Sequence, residues 1–162
     1  MSMFNLLSML AGAKVEFVLV GGLAVALHGY QRVTMDVDVV LAMDADNLRK
    51  FLSVAKEHGL RPTIPVQLDS LAQPELIEQW YREKGMLTFS LRGAETMATV
   101  LDVLVRPVIP FAELRRDAKT VGVGAISIPV ASIEHLITMK TGEGRSKDLI
   151  DIEELRKIQA LK

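Results

Sequence analysis

The sequence contains no cysteine, which excludes disulfide staples, thiolate zinc sites and a cysteine nucleophile and fits a cytoplasmic setting. Neither sign of charge is in excess. Nineteen Lys and Arg stand against twenty Asp and Glu, a formal net charge of -1, with a pI near 6.3. No broad basic surface is therefore available for tight nonspecific binding to nucleic acid, which leaves room only for a local basic patch. No run of about 18 apolar, uncharged residues occurs, so nothing in the sequence reads as a membrane span. The apolar opening MSMFNLLSMLAGA lacks the basic start and long apolar stretch of a signal peptide and reads as a short amphipathic helix. The chain carries no internal repeat and no low-complexity linker.

What is present is enough for a real core. The 162 residues are 49% hydrophobic with a mean hydropathy of +0.26, and residues 1–162 are expected to form one compact domain. Val15 to Val20 is a β-branched run that ends at Gly21-Gly22, and LAVALHGY continues as a helix. Strand, glycine turn and helix in this order form a phosphate-site geometry. Asp36 to Leu41 reads as a second strand, and Asp44 as the N-cap of a helix carrying Leu48, Phe51, Leu52 and Ala55 at helical spacing, with Gly59 placed to end it. Prolines 62, 65 and 74 break regular structure before a helix over Pro74 to Lys84. Met86 to Leu91 and Thr99 to Val105 read as strands across a turn at Arg92-Gly93. A short helix from Phe111 to Ala118, a strand from Ala125 to Val130, a helix from Ser132 to about Thr141 and a last helix from about Ser146 complete the chain. The mixture predicts an α+β fold, a mixed β-sheet with helices packed on it, rather than a regular βαβ alternation.

Asp36 and Asp38 lie two apart on a strand, so both carboxylates project from one face while Val37 and Val39 go to the other. At a separation of roughly 7 Å and an effective dielectric near 20, their repulsion is about 2–3 kcal/mol, a cost that a divalent cation reverses. Mg²⁺ suits such a site, because it takes oxygen ligands and bridges to phosphate oxygens. The competing reading is a solvated strand face with Arg32 as counter-ion. The glycine pair lies fifteen residues before Asp36 with one helix between, and a glycine turn lets backbone approach a phosphate closely. Asp102, in TVLDVLV, is a third strand carboxylate among apolar neighbours and needs a partner, for which Arg106 is the structural candidate. His28, His58 and His135 show no ligand spacing and read as surface or packing residues. Tyr30 is read as loop packing, and Arg115-Arg116 as an exposed basic pair.

The segments GGLAVALHGYQRVTMDVDVVL and LDVLV together resemble the polymerase-beta-type nucleotidyltransferase superfamily, whose pattern is a Gly-Gly or Gly-Ser turn, a DxD strand and a later strand carboxylate. Within it the chain looks most like the small AbiEii-like nucleotidyltransferases, described as toxins of type IV toxin-antitoxin systems. That resemblance implies a C-terminal Lys, Arg, Asp, Asp pattern, matched here by Lys140, Arg145, Asp148 and Asp151 in MKTGEGRSKDLIDIEEL. Helical spacing gives independent support: Lys140 shares a stripe with Ile133, Leu136 and Ile137, and Asp148 and Asp151 fall among Leu149, Ile152 and Leu155. Charges on apolar helix faces need partners, so Lys140 or Arg145 is expected to meet those aspartates or a ligand phosphate.

The resemblance implies an enzyme that moves a nucleoside monophosphate from a nucleoside triphosphate to an acceptor hydroxyl on tRNA, a protein or a small molecule. It implies Mg²⁺, or Mn²⁺ in its place, held by Asp36, Asp38 and Asp102, and nucleotide contacts from Gly21, Gly22, Arg32, Thr34, Lys140, Arg145, Asp148 and Asp151. An antitoxin partner or a homodimer belongs to the same expectation. Gly22 stands where many members carry a serine, so one phosphate-binding hydroxyl is missing, although glycine is an accepted alternative. A different class of reading is a catalytically silent nucleotidyltransferase-like module that binds a nucleotide or a partner.

Overall fold

The computed structural model describes residues 1–95 and 97–162. Helix α1 (Met3–Gly12) is followed by β1 (Phe17–Val20), α2 (Gly21–Leu27) and β2 (Asp36–Leu41). Then come α3 (Ala45–Glu57), a two-residue β3 (Arg61–Pro62), a 3₁₀ turn (Leu68–Ala72), α4 (Pro74–Lys84), β4 (Thr88–Arg92) and β5 (Val100–Leu104). The chain continues through α5 (Phe111–Asp117), the hairpin β6 (Lys119–Val123) and β7 (Ile126–Val130), α6 (Ile133–Thr141) and α7 (Ser146–Ala160). The seven strands make one sheet in the order β3-β4-β5-β2-β1-β7-β6. β2 runs antiparallel to β1 and parallel to β5, while β1 runs parallel to β7. The sheet is therefore mixed, as the α+β reading expects.

Period-two alternation decides which side of the central strands is core. Val37 and Val39 on β2, Leu101 and Val103 on β5, and Phe89 and Leu91 on β4 are all buried. Their sequence neighbours Asp36, Asp38, Asp102 and Ser90 are half-buried on the opposite face. Asp44 caps α3 by accepting from the Asn47 backbone N–H at 3.0 Å, and Leu48, Phe51, Leu52 and Ala55 turn inward as their spacing requires. Asn47 itself is buried, and its amide donates to the Glu16 and Ala42 carbonyls while its oxygen accepts from the Glu16 N–H. Every polar atom of that side chain is satisfied, so the cost of burying it is covered. Among the described residues no helix is long and apolar enough to cross a membrane.

The structure departs from the sequence expectation at several places. α2 begins at the glycine pair itself, not after it. β4 and β5 are joined by residues 93–99 instead of a tight turn at Arg92-Gly93, and residue 96 lies outside the described residues. β6 was not foreseen. Its sequence KTVGV is mostly exposed, because an edge strand has one partner and little of the apolar alternation by which strands are recognised. On α7 the inward line is Asp148, Asp151 and Leu155, and Leu149 is exposed, not part of that line.

Candidate active site

Four neighbouring strands align a single row of residues across the sheet. Val20, the last residue of β1, lies abreast of Asp38 on β2. Asp38 lies abreast of Asp102 on β5, and Asp102 abreast of Ser90 on β4. Asp36 projects from the same face of β2 one pleat away. Register thus brings together carboxylates that stand 64 residues apart in sequence.

The chain turns immediately after Val20. Gly21 has φ +73, and a Cβ at this position would overlap the Asp38 carboxylate. Glycine is required here twice over, by backbone conformation and by the approach of Asp38. Gly21→Ala is expected to cost about 1–3 kcal/mol of stability, measurable by urea denaturation; an unchanged midpoint would contradict this packing. At Gly22 a Cβ would meet Thr34 Oγ1 at 3.1 Å and the Arg32 guanidinium carbon at 3.5 Å. The loop before β2 therefore folds back over the glycine turn and places the Thr34 hydroxyl beside Gly22.

The carboxylates are electrostatically strained. Burial, then the charge and hydrogen bond of Asp102, then the charge of Asp36, push the Asp38 carboxyl up to about 7, with Lys140 opposing. Asp36 is also raised, first by burial and then by Asp102, against Lys147. Asp102 accepts a short hydrogen bond from the Ser90 hydroxyl. Arg106, its structural candidate, lies elsewhere: it donates to Glu78 at 2.6 Å and stacks on the Tyr81 ring. Ser90 was missed by sequence reasoning, since only the β4–β5 register shows that it faces Asp102.

The donor set suits a hard divalent cation. Among the described residues no three His, Cys, Asp or Glu side chains converge on one ion position. Mg²⁺ does not demand that, because it is commonly held by one or two carboxylates and completes its shell with water and phosphate oxygens. Asp38 and Asp102, abreast on parallel strands, provide such a pair, with Asp36 beside them.

The opposite wall comes from the last two helices. Lys140, on the apolar stripe of α6, is buried and pairs with Asp151 at 2.9 Å and Asp148 at 3.4 Å. Arg145 Nε donates to Asp148 at 2.6 Å, and Arg32 forms an ion pair with Asp151. Burial pushes Asp148 up, but the bonds from Arg145 and Lys140 outweigh it and hold its carboxyl below the ordinary value. The Arg32–Asp151 pair fastens the loop before β2 to α7. Arg32 is thus committed to Asp151, not to the strand carboxylates.

The two walls enclose a cleft of about 510 Å³ lined by Gly21, Gly22, Arg32, Thr34, Asp36, Asp38, Asp102, Lys140, Arg145 and Asp148, with Ser90 outside the lining. Asp151 also stays out, buried behind Arg32 and Lys140. Thr88, Leu104, Glu143 and Lys147 line the cleft too and were not singled out from the sequence. Of the three histidines, His28 bonds the Ala131 carbonyl at 2.8 Å and His58 the Val54 carbonyl at 3.0 Å, while His135 lies 3.6 Å from Asp117. None of the three lines the cleft.

A mixed sheet that ends one strand in a glycine turn and sets carboxylates on the next two places the protein among nucleotidyltransferase folds. The lincosamide antibiotic adenylyltransferase LnuA, solved with lincomycin, superimposes with a TM-score of 0.63 at 20% identity, over 96% of this chain and 95% of that one. ANT(2″)-Ia, solved with adenylyl-2″-tobramycin, gives 0.56 at 11% identity over 98% and 93%. An antigenic nucleotidyltransferase-like protein from Paracoccidioides brasiliensis gives 0.58 at 19% identity over 97% and 73%. At these identities the likeness is one of fold. The chain belongs to the family described as nucleotidyl transferase AbiEii toxin, type IV TA system, which it matches over residues 6–161. No curated protein sequence matches it.

Proposed function

We propose that this nucleotidyltransferase moves a nucleoside monophosphate from a nucleoside triphosphate to an acceptor hydroxyl, with Mg²⁺, or Mn²⁺ in its place, at Asp36, Asp38 and Asp102. The observation that carries the reading is the Asp38–Asp102 pair, abreast on parallel strands and set against the Gly21 turn. A cation bound there would offset the phosphate charge and acidify the acceptor hydroxyl. The backbone at Gly21 and Gly22 lines the cleft where the β- and γ-phosphates would rest, and the Thr34 hydroxyl, packed against Gly22, donates to them in place of the absent serine. Lys140, Arg32 and Arg145 supply positive charge on the facing wall. Asp148 and Asp151 act through these cations, holding them in position from behind.

In the transfer, the acceptor oxygen bonds to the α-phosphorus as the bond to the bridging oxygen of the β-phosphate breaks. Pyrophosphate leaves, and the acceptor proton passes to Asp102 and on to water. Incubation with each α-labelled nucleoside triphosphate and Mg²⁺, in the presence of total tRNA, protein and small-molecule fractions, tests this directly. Asp36→Asn is expected to lower labelling about 100- to 1000-fold, the loss typical when a main electrostatic stabiliser is removed. Undiminished labelling by both Asp36→Asn and Asp38→Asn would refute the mechanism. The family's description brings a toxin role and an antitoxin partner into the proposal; growth arrest on expression of the wild-type chain, but not of Asp36→Asn, tests the first.

A further inference from the structure

The cleft is electrically two-sided. All of its cations, Arg32, Lys140, Arg145 and Lys147, come from the loop before β2, from α6 and from the segment that opens α7. Beyond Asp102, on β4 and β5, the lining consists of Thr88 and Leu104, which lie abreast of each other. The nearest arginine past β5, Arg106, is occupied by Glu78 and Tyr81. At the mouth of the cleft Val33 and Met35 are 83% and 69% exposed and form an apolar lip. No aromatic side chain lines the cleft among the described residues.

The geometry points to the β4–β5 side of the cleft, with Thr88 and Leu104 as its floor and Met35 at its lip, as the acceptor site for an uncharged, polyhydroxylated small molecule. This rests on the nucleotidyltransferase reading and adds the class of acceptor to it. An RNA end is held mainly through its phosphates and by stacking of its splayed bases on aromatic rings. The floor provides neither cations nor rings. What it provides is the Thr88 hydroxyl and aliphatic surface beside Asp102, a lining that suits hydroxyl groups and carbon rather than phosphate. The hydroxyl of such a molecule, seated on Thr88 and Leu104, lies next to Asp102, which takes its proton as the new oxygen–phosphorus bond forms and pyrophosphate departs.

The test separates the two layers. Calorimetric binding of an α,β-methylene nucleoside triphosphate with Mg²⁺ reports on the nucleotide site alone, and its absence would remove the nucleotidyltransferase reading. Labelled nucleotide is then offered with three fractions: a cell filtrate below about 3 kDa, total tRNA, and protein. The expected result is label in the filtrate, with Leu104→Arg and Met35→Arg raising the apparent KM for the filtrate acceptor more than tenfold while analogue binding is unchanged. Met35 is too exposed for its replacement to unfold the chain. Analogue binding with label in tRNA or protein, with no label in any fraction, or with filtrate labelling indifferent to both substitutions overturns the acceptor site and leaves the nucleotide site standing.

Discussion

Replacing Asp38 by asparagine is expected to make the metal-free protein more stable at pH 8 while abolishing nucleotide transfer. The Asp38 carboxyl is held near 7 by burial and by Asp102, whereas in the unfolded chain it titrates near its ordinary value, about 3.9. Between those two values the folded state binds the proton and the unfolded state does not, so stability falls as pH rises from about 4 to about 7 and levels off above. The full shift sets an upper limit of about 4 kcal/mol, and a loss on the order of 2 kcal/mol is expected. Asparagine removes the charge and keeps the shape. Thermal melts in EDTA at pH 5 and pH 8 read this out: the wild type should melt lower at pH 8, and Asp38→Asn should lose most of that difference. Added Mg²⁺ should raise the wild-type midpoint at pH 8 and leave the variant unmoved. A variant that is no more stable than the wild type at pH 8 in EDTA would show that the carboxylates are not strained against one another.

The second large effect lies behind the opposite wall. Asp151 is 1% exposed and serves two cations, Lys140 and Arg32. Asp151→Ala leaves the buried Lys140 ammonium with Asp148 alone and frees the loop before β2 from α7. Removing one member of a buried ion pair typically costs about 3–5 kcal/mol, and that loss is expected here in urea denaturation. Lys140→Met combined with Asp151→Leu, which removes both charges from the core, should recover most of the stability without restoring transfer. The pair of variants separates what the network does for the fold from what Lys140 does for the ligand. A loss below about 1 kcal/mol for Asp151→Ala would mean that water reaches the pair in solution.

Several of these relationships were readable in the sequence because a local period reports them. The DxD strand declares its face by alternation with Val37 and Val39, and Lys140 declares its burial by sharing a stripe with Ile133, Leu136 and Ile137. The parts that stayed hidden depend on pairing across the chain. The ion pair of Arg32 with Asp151 joins residues 119 positions apart, and no local pattern encodes it. Ser90 is an unremarked serine until the β4–β5 register sets it against Asp102. β6 is an edge strand whose residues face mostly water, so its composition carries little trace of its pairing. The two-sided cleft emerges only when β4 and β5 are laid beside β2, since Thr88 and Leu104 bear no chemical mark of their own.

The turn at Gly21 has a consequence in genetic terms. A glycine codon reaches alanine, serine, valine, arginine, aspartate and others by one base change, and every one of them brings a Cβ into the space of the Asp38 carboxylate. Gly12, by contrast, has an ordinary backbone and nothing within 4 Å of an added Cβ. In a collection of loss-of-function alleles selected after random mutagenesis, codon 21 should therefore recur with many different replacements and codon 12 hardly at all. Such alleles would disable the site from its backbone, with all three carboxylates still encoded.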